Sequence, residues 1–410
     1  MVRKSVLFLS DVSIRKVLVF CVMLMFVFTS DAIMSYWIPG FVQKSLGSAT
    51  LMGFVMAFSS VIGLLVDFLF PQMMRNVGTK VMVAALIIST LIFQSTMYLS
   101  TYMPWIIIIL FGMAIWGLYY ELMAFANQQF VATTVGPHQR ATAWGLVGVF
   151  RSLAYLVGPL LASLFESSGD RSVLLLAISM SVVGMFLFMF MRMKDKVVEL
   201  DHHEINIFSE FGHWKVLMKH VWPVIVLSVT MGLVDSVFWT TGTVWGDKLA
   251  EQSVWGSFFL TAYMLPGLVM GLLVAKLGIV EHKKKIAAAL LIVSNLALAG
   301  LAISGVIWWQ IMVVLVSSTL SSFAFPLIDA TYTDIVSRMG RERKHLIGLS
   351  SSTFSLAYIL GPIVAGMISD GVGELATFTI VGMLAAIVCT VIFFVTPRKL
   401  KLPQQEIATW

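Results

Sequence analysis

Ser152-Leu153-Ala154-Tyr155-Leu156-Val157-Gly158-Pro159 returns later in the chain as Ser355-Leu356-Ala357-Tyr358-Ile359-Leu360-Gly361-Pro362, 203 positions on. That offset is close to half of the 410 residues. At the same spacing Gly145 falls on Gly348 and Arg140 on Arg343, and Asp31 meets Asp235 within one residue. A second echo links Gly63-Leu64-Leu65-Val66 with Gly271-Leu272-Leu273-Val274. Two halves of common ancestry follow, and a repeat of this length sets the architecture before any single motif is weighed.

Both copies sit in apolar surroundings. Across the chain 59% of residues are hydrophobic and 12% charged, with 12 Trp, 29 Phe and 26 Met, and the mean hydropathy is +0.93. Too few polar side chains remain to cover a water-soluble surface, so the composition reads as an integral membrane protein and excludes a soluble metabolic enzyme. A helix needs about 20 apolar residues to cross about 30 Å of hydrocarbon. Twelve runs have that length: 17–38, 50–70, 81–101, 105–131, 143–165 and 173–191 in the first half, then 222–244, 254–277, 286–305, 308–334, 346–368 and 376–396. The sequence thus predicts a six-span bundle over 1–191, a polar cytoplasmic linker over 192–221, and a second six-span bundle with a short tail over 222–410.

The formal charge of +6 is scattered between the runs and not gathered in one patch, so it speaks for orientation and against a nucleic-acid partner. With the N-terminus inside, every Lys and Arg lies on the cytoplasmic side except Lys44, Arg151, Arg171 and Lys248. Both termini are therefore expected in the cytoplasm. Each half has an even number of spans, so the halves enter the membrane from the same side as a parallel repeat. Arg3, Lys4, Arg15 and Lys16 precede the run from Val17 without a small-residue cleavage site, which reads as a retained first span. Cys21 and Cys389 lie inside apolar runs near opposite ends of the chain and support neither a disulfide framework nor a thiolate metal site.

Topology, the duplicated half and two motifs together resemble the major facilitator superfamily, along essentially the whole chain and closest to its drug/proton antiporter type. The family's Gly-x-Leu-Ala-Asp-Arg-x-Gly-Arg-Lys loop after span 2 is matched in its first part by Gly63-Leu64-Leu65-Val66-Asp67, after which Phe68 to Val77 intervene before Gly78-Thr79-Lys80. The small-residue motif of span 5 in the family's antiporters falls on Gly145, Ala154, Gly158, Pro159, Ala162 and Ser163, with Ala154, Ala162 and Ser163 in place of glycines. The resemblance implies an all-α membrane protein of twelve transmembrane helices in two pseudo-symmetric six-helix bundles, with a cavity lined by spans 1, 4, 7 and 10. It further implies a monomer in a bacterial inner membrane, working by alternating access, and Asp67 as the gate carboxylate.

Ionisable groups inside a span cost several kcal/mol unless paired or hydrated, so each one is a functional candidate. Asp31 lies roughly 21 Å into span 1, and Asp235 stands at nearly the same depth in span 7. Glu121 in span 4 and Arg151 in span 5 both fall in the cytoplasmic half, where they can pair. Asp31, Glu121 and Asp235 are the expected proton-coupling residues, since a desolvated carboxyl gains proton affinity and a nearby cation restores its ionised form. Ser236, Thr240 and Thr241 are expected to hydrogen-bond Asp235. Aromatic residues accompany the acids: Tyr36 and Trp37 after Asp31, Trp116, Tyr119 and Tyr120 before Glu121, and Trp239 after Asp235. Such rings hold organic cations and apolar groups; they also occur at membrane interfaces and in packing. Tyr36, Trp37, Trp116, Tyr120, Glu121, Arg151, Trp239 and Asp329 are the expected lining of a substrate cavity. Asp329 has a rival role beside Asp334 in an inner gate with Arg338, Arg341, Arg343 and Lys344. Gly145, Gly158, Pro159, Gly361 and Pro362 are read, with Asp67, as gating positions, because small residues let helices approach and proline removes a helix hydrogen bond.

The linker holds His202, His203, His213 and His220, spaced too irregularly for a metal site. Ile207, Phe208, Phe211, Trp214, Leu217 and Met218 with Lys215 and Lys219 suggest an interfacial helix at the inner leaflet. No Walker loop, nucleotide fingerprint or catalytic triad is present, so no cofactor and no enzymatic reaction are expected. The leading functional expectation is proton-coupled export of small amphipathic or cationic compounds, with the lipid bilayer and protons as the other partners. Its rivals are uptake of a sugar, peptide or organic acid through Arg151 or span 4, lipid flipping, and a non-transporting scaffold or sensor.

Overall fold

A computed structural model describes residues 12–73, 77–135, 140–166, 168–191, 207–277, 281–336, 338, 343–397 and 402. The first half forms α1 (Val12–Leu46), α2 (Ala49–Met73), α3 (Thr79–Ser100), α4 (Ile106–Thr134), α5 (Arg140–Glu166) and α6 (Asp170–Phe190). The second forms α7 (Ile207–Phe238), α8 (Thr241–Gln252), α9 (Phe258–Leu277), α10 (Lys283–Ala299), α11 (Ile307–Val336), α12 (Arg343–Val372) and α13 (Glu374–Val395). Among the described residues there is no strand. In hydrocarbon every backbone N–H and C=O must find its partner within the segment, and the helix is the solution open to one apolar run. Among the described residues eleven helical stretches are long and apolar enough to cross a membrane, and the shorter Val254–Met270 lies where the eighth of twelve spans is expected. The protein is an all-α integral membrane protein.

The helices outrun the apolar stretches, because hydrocarbon thickness limits apolar length while helical hydrogen bonds continue into polar flanks. Span 1 is apolar over 17–38, yet α1 continues through Pro39 to Leu46. It stops at Gly47, whose φ of +67° is a left-handed conformation that side chains with a Cβ resist. The turns before α6 and α13 repeat this device at Gly169 (φ +96°) and Gly373 (φ +86°), again about half a chain apart. Span 7 is broken: α7 ends at Phe238, Thr240 adopts φ −119° and ψ −81°, and α8 restarts the helix. Linker residues up to 206, with His202 and His203, lie outside the described residues. From Ile207 the stretch expected to lie flat on the membrane runs into α7 without interruption. Its stripe of Trp214, Leu217 and Val221 is buried, while Lys215, Met218 and Lys219 face outward.

Packing separates the chain into two compact units, one of residues 1–45 and 61–201, the other of residues 46–60 and 202–410. In the first, α1, α3 and α6 are tied by a buried polar knot. Ser30 Oγ donates to the Ala177 carbonyl at 2.7 Å and lies 2.8 Å from Ser181 Oγ, and Gln94 Nε2 reaches Ser181 Oγ at 3.0 Å. The second unit has its own version: Ser294 Oγ donates to the Ser317 carbonyl at 2.8 Å and sits 2.7 Å from Ser321 Oγ, joining α10 to α11. Such bonds hold helices together where hydrophobic burial gives no preference for protein over lipid. Cys21 and Cys389 are buried and free.

The second unit also contains the start of α2. Asp370, near the end of α12, accepts the backbone N–H of Ala49 at 2.7 Å and of Thr50 at 2.8 Å, together with the Ser48 hydroxyl at 2.7 Å. One carboxylate thereby satisfies the orphan donors of a helix N-terminus on another helix. Bare backbone makes the approach possible: a Cβ on Gly366 would stand 2.2 Å from the Ala49 carbonyl oxygen, and one on Gly53 2.1 Å from that of Pro362.

Candidate functional site

The repeated stretch earns its place through two residues one helical turn apart. In the first unit Gly158 lets α5 lie against α1 so closely that a Cβ would fall 2.4 Å from Ala32 Cβ. In the second, a Cβ on Gly361 would fall 1.8 Å from Ser236 Oγ. Ala154 and Ala357, on the same faces, have no exposed surface. Tyr155 and Tyr358 precede these glycines by three residues, so their phenols point along the same contact.

Each phenol ends on an acid. Asp31 of α1 is 2% exposed; Tyr155 donates to its Oδ2 and Trp116 Nε1 of α4 donates to its Oδ1 at 2.8 Å. Asp235 of α7 is half-buried; Tyr358 donates to its Oδ2 and Tyr263 of α9 to its Oδ1 at 2.5 Å. Two carboxylates at repeat-related positions are thus each gripped by two ring donors. Around Asp31 the rings continue, with Trp116 stacked on Phe93 at 5.2 Å and tilted against Tyr120 at 5.5 Å. Beside Asp235, Tyr263 stacks on Phe238 at 3.9 Å.

Arg151 lies above the Tyr155 ring, 5.5 Å from its centre, and its charge acts on Asp31, Tyr119, Tyr120 and Tyr155. The side chain is exposed, and among the described residues it forms no ion pair. The expected pairing with Glu121 is therefore not made. Glu121 turns toward α2, where its Oε1 lies 3.1 Å from the place a Cβ of Gly63 would occupy. The glycine leaves room for that carboxylate.

The other expected residues take varied places. Ser236 and Thr240 do not hold Asp235; their hydroxyls donate to the carbonyls of Leu233 (2.7 Å) and Ser236 (2.8 Å) in their own helix, the usual competition of short hydroxyl side chains for backbone. Trp37 donates Nε1 to Asp170 Oδ1 at 2.7 Å and stacks on Phe41 at 4.5 Å, a tie between α1 and the start of α6. Gly145 stands open, with nothing within 4 Å of a built Cβ, so the close seam of α5 lies at Gly158 and not along the whole motif. Asp334 pairs with Lys283 of α10 at 2.6 Å, while Asp329 is exposed one turn before the buried Tyr332. Tyr36 is buried and Trp239 half-buried, one turn after Asp235. Pro159 and Pro362 are buried beside their glycines. The side chain of Asp67 lies outside the described residues.

Tyr155, Tyr358 and Tyr263 were not among the expected site residues. The signal for the first two was in plain view, since both stand inside the repeated octapeptide. Asp370 was missed as well, because only folding brings it to residues more than three hundred positions earlier.

The family model described as Major Facilitator Superfamily matches residues 19–341 and 253–409. The chain belongs to that superfamily. Members are membrane transporters and not enzymes, and this chain has their fold. Solved structures agree: a bacterial homologue of the human lysosomal transporter Spinster, inward-facing and unoccupied, has a TM-score of 0.71 at 11% identity, covering 94% of this chain and 97% of that one. The nucleoside transporter NupG gives 0.67 at 12% identity, with 92% and 98% covered. The E. coli fucose:proton symporter FucP gives 0.60 at 14% identity, with 95% and 100% covered. At these identities the likeness is one of fold. Comparison with curated proteins by sequence finds no match.

Proposed function

We propose that this superfamily member is a proton-coupled secondary transporter working by alternating access, with Asp31 as the group that carries the proton and Asp235 as its counterpart in the second unit. The observation that carries the reading is the Asp31 site itself. A carboxylate 2% exposed is held by Trp116 and Tyr155 beside the charge of Arg151. Desolvation favours its neutral form, while the donors and the guanidinium favour the ionised one. A carboxyl enclosed in this way changes its protonation state when its surroundings change, as alternating access requires. Glu121, against the bare backbone at Gly63, is a second acid within the same unit.

Export of small amphipathic or cationic compounds in exchange for protons is the direction that the antiporter-like span 5 favours. Uptake of an organic acid together with protons is the second reading, and the exposed guanidinium of Arg151 favours it. Aromatic groups at Trp116 and Tyr120 suit the apolar part of either cargo.

The test uses purified protein in sealed liposomes with a pH-sensitive dye inside and an imposed pH gradient. Solute-dependent proton movement is expected in the wild type and is lost in Asp31→Asn, with Asp334→Asn as a control that retains it. Undiminished solute-driven proton flux in Asp31→Asn sinks the assignment.

A further inference from the structure

The first unit presents opposite charges in very different ways. Asp31 is buried and both its oxygens are already engaged, by Trp116 and Tyr155. Arg151 is exposed and has no ion pair among the described residues, with the half-buried Tyr120 and Tyr155 and the buried Tyr119 near it. Of the two charges, the guanidinium is the exposed one and the carboxylate the enclosed one. That guanidinium offers planar, paired N–H donors, the geometry that grips carboxylate and phosphate oxygens two at a time. A cation within a membrane-spanning segment that forms no direct ion pair is also costly to keep unless it has a job.

We propose that Arg151 anchors an oxyanion group of the substrate, a carboxylate or phosphate carried on an apolar or aromatic body, and that this anion is taken up together with the proton of Asp31. The proposal deepens the proton-coupled reading and rests on it. Charge arithmetic gives the coupling. The empty site, Arg151 cationic and Asp31 anionic, is neutral. A bound monoanion leaves one net negative charge, and a proton from solvent, bonded to an Asp31 oxygen, returns the sum to zero. Neutral forms desolvate most easily, so the empty and the doubly loaded sites are the ones free to reorient, and a half-loaded site is held back. An organic cation exchanged for a proton would instead give the site one net positive charge in each loaded state, with cation or with proton. Beside Asp31 stand Tyr155 and Arg151 from α5 and Trp116, Tyr119 and Tyr120 from α4.

Binding is measured by calorimetry on detergent-purified, full-length protein, with benzoate, phenyl phosphate and dioctanoyl phosphatidate as oxyanions and benzylamine and benzamide as cationic and neutral controls. At least one oxyanion is expected to bind saturably, more tightly at low pH, while the controls do not. A preference for phosphatidate assigns the anion to a lipid headgroup, and a preference for the soluble acids assigns it to a free solute. Arg151→Gln is expected to weaken binding ~10-fold to ~100-fold, the worth of a charge-assisted pair, and Arg151→Lys to restore part of it. Asp31→Asn, an imitation of the protonated acid, is expected to bind the anion at high pH as tightly as the wild type does at low pH. Failure of all three oxyanions to bind, benzylamine binding in their place, or wild-type anion affinity in a folded Arg151→Gln protein overturns the proposal. Asp31→Asn that still moves protons with the anion would overturn the proton assignment and leave the Arg151 site standing; a silent Asp31→Asn beside an unaffected Arg151→Gln would do the reverse.

Discussion

A phenol bonded to a carboxylate is the unit from which this site is made, and the sequence holds it twice. Removing the hydroxyl in Tyr155→Phe leaves Asp31 with Trp116 and a charge-assisted bond fewer, a loss of about 1.5–3 kcal/mol from the ionised form. Solute-driven proton uptake in liposomes is then expected to begin at higher pH than in the wild type, because the donor that favoured the anion is gone. An unchanged pH profile would show that the bond does not bear on the proton. The acids were legible from sequence because a charge inside an apolar run is conspicuous. Their partners were not, because a tyrosine three residues before a glycine looks the same whether it faces lipid or an acid. Arg151 shows the other side of this limit: its place in span 5 put it within reach of Glu121, and the folded chain turned Glu121 toward Gly63.

Among the helices, close approach depends on which glycine faces a neighbour. Gly158 and Gly361 are pressed against α1 and α7, so Gly158→Val and Gly361→Val are expected to destabilise the protein by roughly 1–3 kcal/mol through overpacking. Gly145, in the same motif, faces open space, and Gly145→Ala is expected to be neutral or to gain up to about 1 kcal/mol from helix propensity. Thermal melts of the purified proteins check the contrast. The cap on α2 gives a second test. Asp370→Ala strips the acceptors from the N–H groups of Ala49 and Thr50, at a cost of about 1–2 kcal/mol, and hydrogen exchange of the first turn of α2 is expected to speed up. Span count and spacing were readable because hydrocarbon thickness fixes apolar length. The break at Trp239 and Thr240 was not, since neither residue is a proline or glycine and the nearby Gly242 lies inside α8.

On the scale of the whole chain, the charge pattern predicts that both termini and the loop before α3 are cytoplasmic, while the loop between α3 and α4 lies outside. In a background of Cys21→Ser and Cys389→Ser, Met103→Cys is expected to react with an impermeant maleimide added to intact cells, and Gly78→Cys only after the membrane is opened. The reverse pattern would invert the topology. The sequence by itself determined the number and order of spans, the duplication and the acids of spans 1 and 7, because the bilayer acts on apolar length and on charge, and both are properties of a linear string. Tertiary structure alone decided which rings close on Asp31 and Asp235, that Arg151 keeps exposed surface, and that α2 begins under a carboxylate from α12. Those outcomes depend on helix rotation and on contacts between residues far apart in the chain, where a turn of one helix by a single residue changes every partner it meets.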